Sequence, residues 1–117
     1  MTIRTKRIYE EKQSGDGTRI LVDRMWPRGI SKDKAGIDKW EKELAPSGEL
    51  RKWFAHDPGK WNEFKKRYTQ ELKKNYELLK ELKSLAEKDQ ITLIYAAKDQ
   101  EHNNAVALKE YLDTIEL

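Results

Sequence analysis

The sequence predicts an α/β fold: a small, largely parallel sheet flanked by helices, with one long amphipathic helix at about 58–88. Three observations predict it. Ile20-Leu21-Val22 and Ile91-Thr92-Leu93-Ile94-Tyr95-Ala96-Ala97 are apolar runs without clean alternation. Such runs read as strands covered on both faces, the condition of strands in parallel sheets. Each run leads on into helical periodicity, which is the alternation of α/β layers. Finally, Trp61, Phe64, Tyr68, Leu72, Leu79, Leu82 and Ala86 recur every three or four residues, or at multiples of that spacing, and form one apolar stripe. At 117 residues the chain reads as a single domain over 1–117.

The elements follow in order. Residues 3–9, Ile-Arg-Thr-Lys-Arg-Ile-Tyr, read as an edge-like strand with polar content. Residues 13–18 are turn formers, because Gly accepts positive φ and Asp bonds its own backbone. The first buried strand then runs toward Asp23-Arg24 and stops at Trp26-Pro27-Arg28-Gly29. Residues 31–36 suit one helical turn capped by Ser31. In 37–44, Ile37, Trp40 and Leu44 keep helical spacing, but Pro46 follows closely and a short strand is the reading. Ser47 caps a short helix with Leu50, Trp53 and Phe54 on one face, broken at His56-Asp57-Pro58-Gly59. Asp57 and Pro58 suit the N-cap and first position of the long helix, which should end near Lys88-Asp89. After the second buried strand, Lys98 to Asn104 is a polar loop, and Ala105, Leu108, Leu112 and Ile115 mark a final amphipathic helix.

Charged residues make up 38% of the chain and hydrophobic ones 37%. That is polar for a globular chain, yet 24 Lys and Arg against 21 Asp and Glu leave a net charge of only +3. Self-repulsion is therefore weak, and four Trp and five Tyr add large buriable surface. The absence of Cys excludes disulfides, thiolate nucleophiles and cysteine-ligated metal. No apolar segment of a secretory signal follows Met1, and no apolar run approaches the about 20 residues that span a bilayer. A soluble cytoplasmic protein with no membrane partner is the expectation. A pI near 9.0 is basic, but the charge excess is below that of a dedicated nucleic-acid binder.

Ligands of open parallel sheets sit beyond the carboxyl ends of the strands. Those ends deliver Asp23, Arg24, Trp26 and Arg28 from the first buried strand, and Lys98, Asp99, His102, Asn103 and Asn104 from the second. If the strands are parallel neighbours, the two groups meet at one rim. Guanidinium forks and helix N-termini both favour phosphate or carboxylate, and Pro46-Ser47-Gly48 offers a further N-terminus. Arg24, Arg28 and Lys98 would hold the charge and Trp26 would wall the site, with Ser47, Asp99, Asn103 and Asn104 as further ligand-binding candidates. Asp23 and His102 are the candidates for acid–base work. Each has a structural counter-reading: Asp23 and Arg24 as pins of the strand end, Asn103 and Asn104 as caps, His102 as a solvated or capping residue. Trp40, Trp53 and Trp61 read as core, while Trp26 suits packing and ring stacking equally.

The two His have no metal-ligand spacing, and no Walker loop, Gly-x-Ser-x-Gly elbow or dinucleotide fingerprint is present. No metal and no cofactor is therefore expected. Lys65-Lys66-Arg67 is the one basic cluster on the long helix, whose charges are otherwise interspersed in sign.

Asp23-Arg24-Met25-Trp26-Pro27-Arg28-Gly29 is a distinctive segment. With Trp40, Glu43-Leu44-Ala45-Pro46-Ser47, Ala96-Ala97-Lys98-Asp99 and His102-Asn103-Asn104-Ala105, it resembles the YeaO-like family of uncharacterised bacterial proteins, a domain-of-unknown-function family. The resemblance covers nearly the whole chain and implies a compact α/β protein, with no activity to carry over. The wider superfamily has a similar Asp-x-Arg-x-x-Pro pattern and a later Cys- or His-bearing loop. This chain keeps Asp23, Pro27 and Arg28, though not at that spacing, and the missing Cys puts any cysteine chemistry in doubt. Some relatives are labelled transcriptional regulators, but this chain has no helix-turn-helix with a basic recognition face. The leading expectation is a pocket for an anionic, phosphate-bearing molecule, any catalysis being acid–base or hydrolytic. The alternative is a nucleic-acid-binding or protein-interaction module without catalysis. The oligomeric state is not legible.

Overall fold

The computed structural model describes residues 3–115. Four parallel strands form one sheet in the order β1-β4-β2-β3: β1 is Ile3–Arg7, β2 Thr18–Leu21, β3 Lys39–Trp40 and β4 Ile91–Tyr95. The last strand is inserted between the first two. It pairs along its whole length with β1, from Ile3 opposite Ile91 to Arg7 opposite Tyr95, and with β2 from Thr18 opposite Ile91 to Leu21 opposite Ile94. Every residue of β4 is buried, including Thr92, whose hydroxyl donates to the Asp16 carbonyl at 2.6 Å.

Both faces are covered. Ile20, Val22, Ile91, Leu93 and Tyr95 point to one side and pack on α2 (Gly48–Phe54), α3 (Trp61–Leu72), α4 (Tyr76–Lys88) and α5 (Asn104–Thr114). Leu21 and Ile94 point to the other side. There they meet Ile8, Ala35 of the one-turn helix α1 (Lys32–Ala35), and the half-buried Trp26, Ile30, Ile37 and Trp40. Beside this smaller cluster Arg19 is 1% exposed. Its guanidinium donates to Asp16 Oδ2 at 2.6 Å and to the Gly36 and Ala35 carbonyls at 3.0 and 2.9 Å, which closes the C-terminus of α1. Gly17 turns the chain into β2 at φ +66, where a Cβ would stand 2.1 Å from the Gln90 carbonyl oxygen. Only glycine fits.

The capping expectations hold. Ser31 and Ser47 accept from Lys34 N and Leu50 N, and Asp57 accepts from Gly59 N with Pro58 following. The run 37–44 contains the short strand β3 and then a 3-10 turn at Lys42–Leu44. The long amphipathic run is helical from Pro58 to Lys88, but not uniformly α. It opens with a 3-10 turn at Pro58–Lys60 and tightens again at Lys73–Asn75, between α3 and α4. The apolar stripe skips a turn there, between Leu72 and Leu79. Asn75 donates instead to the Glu43 carbonyl at 3.0 Å, and Tyr76 is 46% exposed. No helix among the described residues is long and apolar enough to cross a membrane.

Candidate functional site

The carboxyl ends of β2 and β4 open into a cleft of about 650 Å³. Its framework is Asp23, the second residue after β2. Asp23 Oδ2 accepts the Ala96 N–H at 3.0 Å, just past the end of β4. Oδ1 accepts from the Asn104 amide at 3.0 Å, and the same amide donates to the Val22 carbonyl at 2.9 Å. One carboxylate thus ties two strand ends to the start of α5. Burial pushes the Asp23 carboxyl above its ordinary 3.8, against the opposing pull of the Asn104 and Ala96 hydrogen bonds and the Arg51 charge.

Arg24, Trp26 and Arg28 line the cleft beside it. Arg24 reaches the Ala45 carbonyl only at 3.5 Å and is exposed, as is Arg28. Trp26 is the more constrained. Its indole N–H donates to the Ile30 carbonyl at 2.8 Å, and its ring meets Trp40 edge-on at 5.5 Å. Both its packing and its lining roles are therefore real: one face belongs to the smaller core, and the residue still borders the cleft.

From the other strand end come His102, Asn103 and Asn104. Asn103 is the N-cap of α5, accepting from Val106 N at 3.0 Å and donating to the Asp99 carbonyl at 2.9 Å. His102 Nδ1 lies 3.0 Å from Asp99 Oδ2, and its ring stands edge-on to Trp61 at 5.3 Å. Backbone N–H groups of Glu101 and His102 hold the Asp99 carboxyl below its ordinary value, helped by the His102 side chain. Asp99 itself organises the loop and is not among the residues lining the cleft. Nor is Lys98, which is exposed. Ser47 is also outside. Its hydroxyl donates to Glu71 Oε2 at 2.6 Å, its N–H goes to Glu71 Oε1 at 2.8 Å, and its oxygen caps α2.

The far wall was not read from the sequence. Arg51, Lys52 and Phe54 of α2, His56 just beyond it and Phe64 of α3 all line the cleft. Phe54 and Phe64 stack at 4.4 Å. The chain reaches this wall through two consecutive left-handed residues, Ala55 at φ 49 and His56 at φ 56. Arg51 and Lys52 lie in the last turn of α2, where cations ordinarily answer the helix dipole, so their pattern carried no separate signal. The one available hint was a helix end without glycine.

Four cationic side chains, Arg24, Arg28, Arg51 and Lys52, thus face one carboxylate, Asp23. None of the four has a carboxylate within 4.0 Å among the described residues. Among the described residues, the lining contains no Ser, Thr, Cys or Tyr. Among the described residues no group of three His, Cys, Asp or Glu side chains is placed to hold a metal ion.

Comparison with known proteins agrees with the distinctive Asp23–Gly29 segment. Residues 2–116 match the family model described as the inactive DUF488-N3 subclade. The chain is 41% identical over 115 residues to the uncharacterised protein YeaO of Escherichia coli, covering 98% of this chain and 100% of that one. It is 39% identical over 111 residues to uncharacterised proteins of Mycobacterium bovis and Mycobacterium tuberculosis, covering 95% of this chain and 93% of each. No solved structure matches it. The segment at the end of β2, the loop before α5 and the near-complete coverage lead to one assignment: the chain belongs to the YeaO-like family, within the inactive DUF488-N3 subclade.

Proposed function

We propose that this protein binds a small anionic, phosphate-bearing molecule in the cleft at the ends of β2 and β4, and does so without turning it over. The observation that carries the reading is the convergence of four cations, Arg24, Arg28, Arg51 and Lys52, on one concave surface that holds a single carboxylate among the described residues. Unpaired guanidinium groups offer forked donors that match phosphate oxygens. The stacked Phe54 and Phe64 and the edge of Trp26 give the cleft an apolar wall, the usual composition of a small-molecule site. Two facts support binding over turnover. The lining lacks a hydroxyl or thiol nucleophile among the described residues, and the subclade is described as inactive.

Nucleic-acid binding through the Lys65-Lys66-Arg67 cluster has weaker support. Lys65 is tied to Glu110 and Arg67 to Glu63, and their cationic groups already cover the rings of Trp61 and Trp53 at 5.4 and 4.0 Å.

Titration calorimetry with inorganic phosphate and pyrophosphate tests the anion reading. Arg28→Ala and Arg51→Ala should each weaken pyrophosphate binding by about tenfold, the scale of one charge-assisted contact. Unchanged affinity in both variants would remove the basis of the proposal.

A further inference from the structure

The inner end of the cleft says what the rest of the ligand should carry, an inference that rests on the anion-binding reading. The cations are exposed and stand at its mouth, whereas Asp23 and Asn104 are half-buried. Asn104 spends both amide hydrogens inward, on the Val22 carbonyl and on Asp23 Oδ1. Both partners accept, so the amide cannot be turned over without setting oxygen against oxygen. Its Oδ1 receives no hydrogen bond from a described residue. No buried side-chain N or O among the described residues lacks a partner, so this oxygen is open to solvent. Asp23 uses one lone pair on each oxygen, for Asn104 and for Ala96 N, and has no further donor among the described residues. A fixed, half-buried group of acceptors therefore shares the cleft with four exposed cations.

We infer that the cleft selects a hydroxyl-bearing phosphate monoester, with the phosphate at the arginine-rich mouth and hydroxyl hydrogens donated to Asp23 and Asn104 Oδ1. An ammonium group offers the same donors, but it would enter a cleft where four cations already outnumber one carboxylate. A hydroxyl meets the acceptors without that repulsion. A ligand without donors strips water from Asp23 and Asn104 and returns nothing, which is how a site built around polar groups rejects an apolar analogue.

The experiment compares four ligands on the full chain by calorimetry: glycerol 3-phosphate, propyl phosphate and 3-aminopropyl phosphate, which share a three-carbon chain, and inorganic phosphate. Glycerol 3-phosphate should bind about tenfold tighter than propyl phosphate, the scale of one hydrogen bond to a charged acceptor, and tighter than the amine. In Asp23→Asn, checked for an intact thermal transition, that preference should largely vanish. The wild-type ratio decides the matter if the variant does not fold. Equal or tighter binding of propyl phosphate overturns the hydroxyl inference and leaves the anion site standing. Tighter binding of the amine overturns it in favour of a zwitterionic ligand. Failure of all four to bind overturns the anion reading as well.

Discussion

Asp16 and Asp23 sit at opposite ends of β2 and carry opposite electrostatics. Burial works to raise the Asp16 carboxyl, but hydrogen bonds from Gln13 N–H, Lys6 and Arg19 outweigh it, and the group is held below its ordinary 3.8. Asp23 is half-buried with amide donors alone and no ion pair among the described residues, so burial wins and it is held above 3.8. The two contributions to stability then have opposite signs. The Asp16 contribution is present above pH 3.8 and is lost as pH falls through its lower folded value. The Asp23 contribution favours the folded state below 3.8 and is lost as pH rises through its higher folded value. Carboxyl-carbon NMR should resolve the two, Asp16 titrating below 3.8 and Asp23 above it; coincident titrations would contradict the account. At this scale the sequence was informative where side chains follow a strand directly. Asp23, Arg24, Arg28, His102, Asn103 and Asn104 all line the cleft. It could not separate a cap from a ligand, because Ser47 and Asp99 present the same polar atoms whether they hold a helix start, a loop or a bound anion. Arg51 and Lys52 were out of reach for a different reason: nothing near them in the chain says which strand end α2 will face.

Among the elements, α2 is the one whose ending matters to the cleft. Most helices that stop in the left-handed region use Gly or Asn there. Here Ala55 occupies that position at φ 49 and ψ 36, followed by His56 in the same region. A Cβ in this conformation costs about 1–2 kcal/mol. Ala55 is exposed, so its methyl group returns little packing. Ala55→Gly should therefore stabilise the fold by about 0.5–1 kcal/mol in urea denaturation, the relieved strain being partly offset by the greater freedom of Gly in the unfolded chain. A loss of stability would show that the left-handed bend is held by something other than local geometry. The other surprise among the elements is the tightening at Lys73–Asn75. It was legible in principle, since the stripe skips a turn after Leu72 and Lys73-Lys74-Asn75 have no apolar side chain to bury. Periodicity read over the whole run averages such a gap away.

For the molecule as a whole, the order β1-β4-β2-β3 is the fact least accessible to pattern reading. Apolar runs reveal that β2 and β4 are covered on both faces, but not that a strand near the end of the chain enters between two near its start. That choice is made by long-range pairing and by the helices that fill one face, neither of which leaves a local mark. It has a measurable consequence. β4 is hydrogen-bonded on both sides and buried throughout, and Leu93 and Ile94 reach 0% exposure on opposite faces. β3 is two residues long and lies at an edge. Native-state hydrogen exchange should therefore be slowest in β4, opening only with global unfolding, and markedly faster in β3, which can detach alone. Leu93→Ala removes a side chain from the main core and should cost about 2–5 kcal/mol, lowering protection across β1, β2, β4 and the packed helices together. The amides of β3 should change least, because their opening already requires less than the global free energy. If Leu93→Ala instead weakened protection only within β4, the sheet and its helices would not unfold as one unit. The cleft, which joins the ends of β2 and β4 to α2 and α5, would then lack the single rigid frame that its fixed acceptors require.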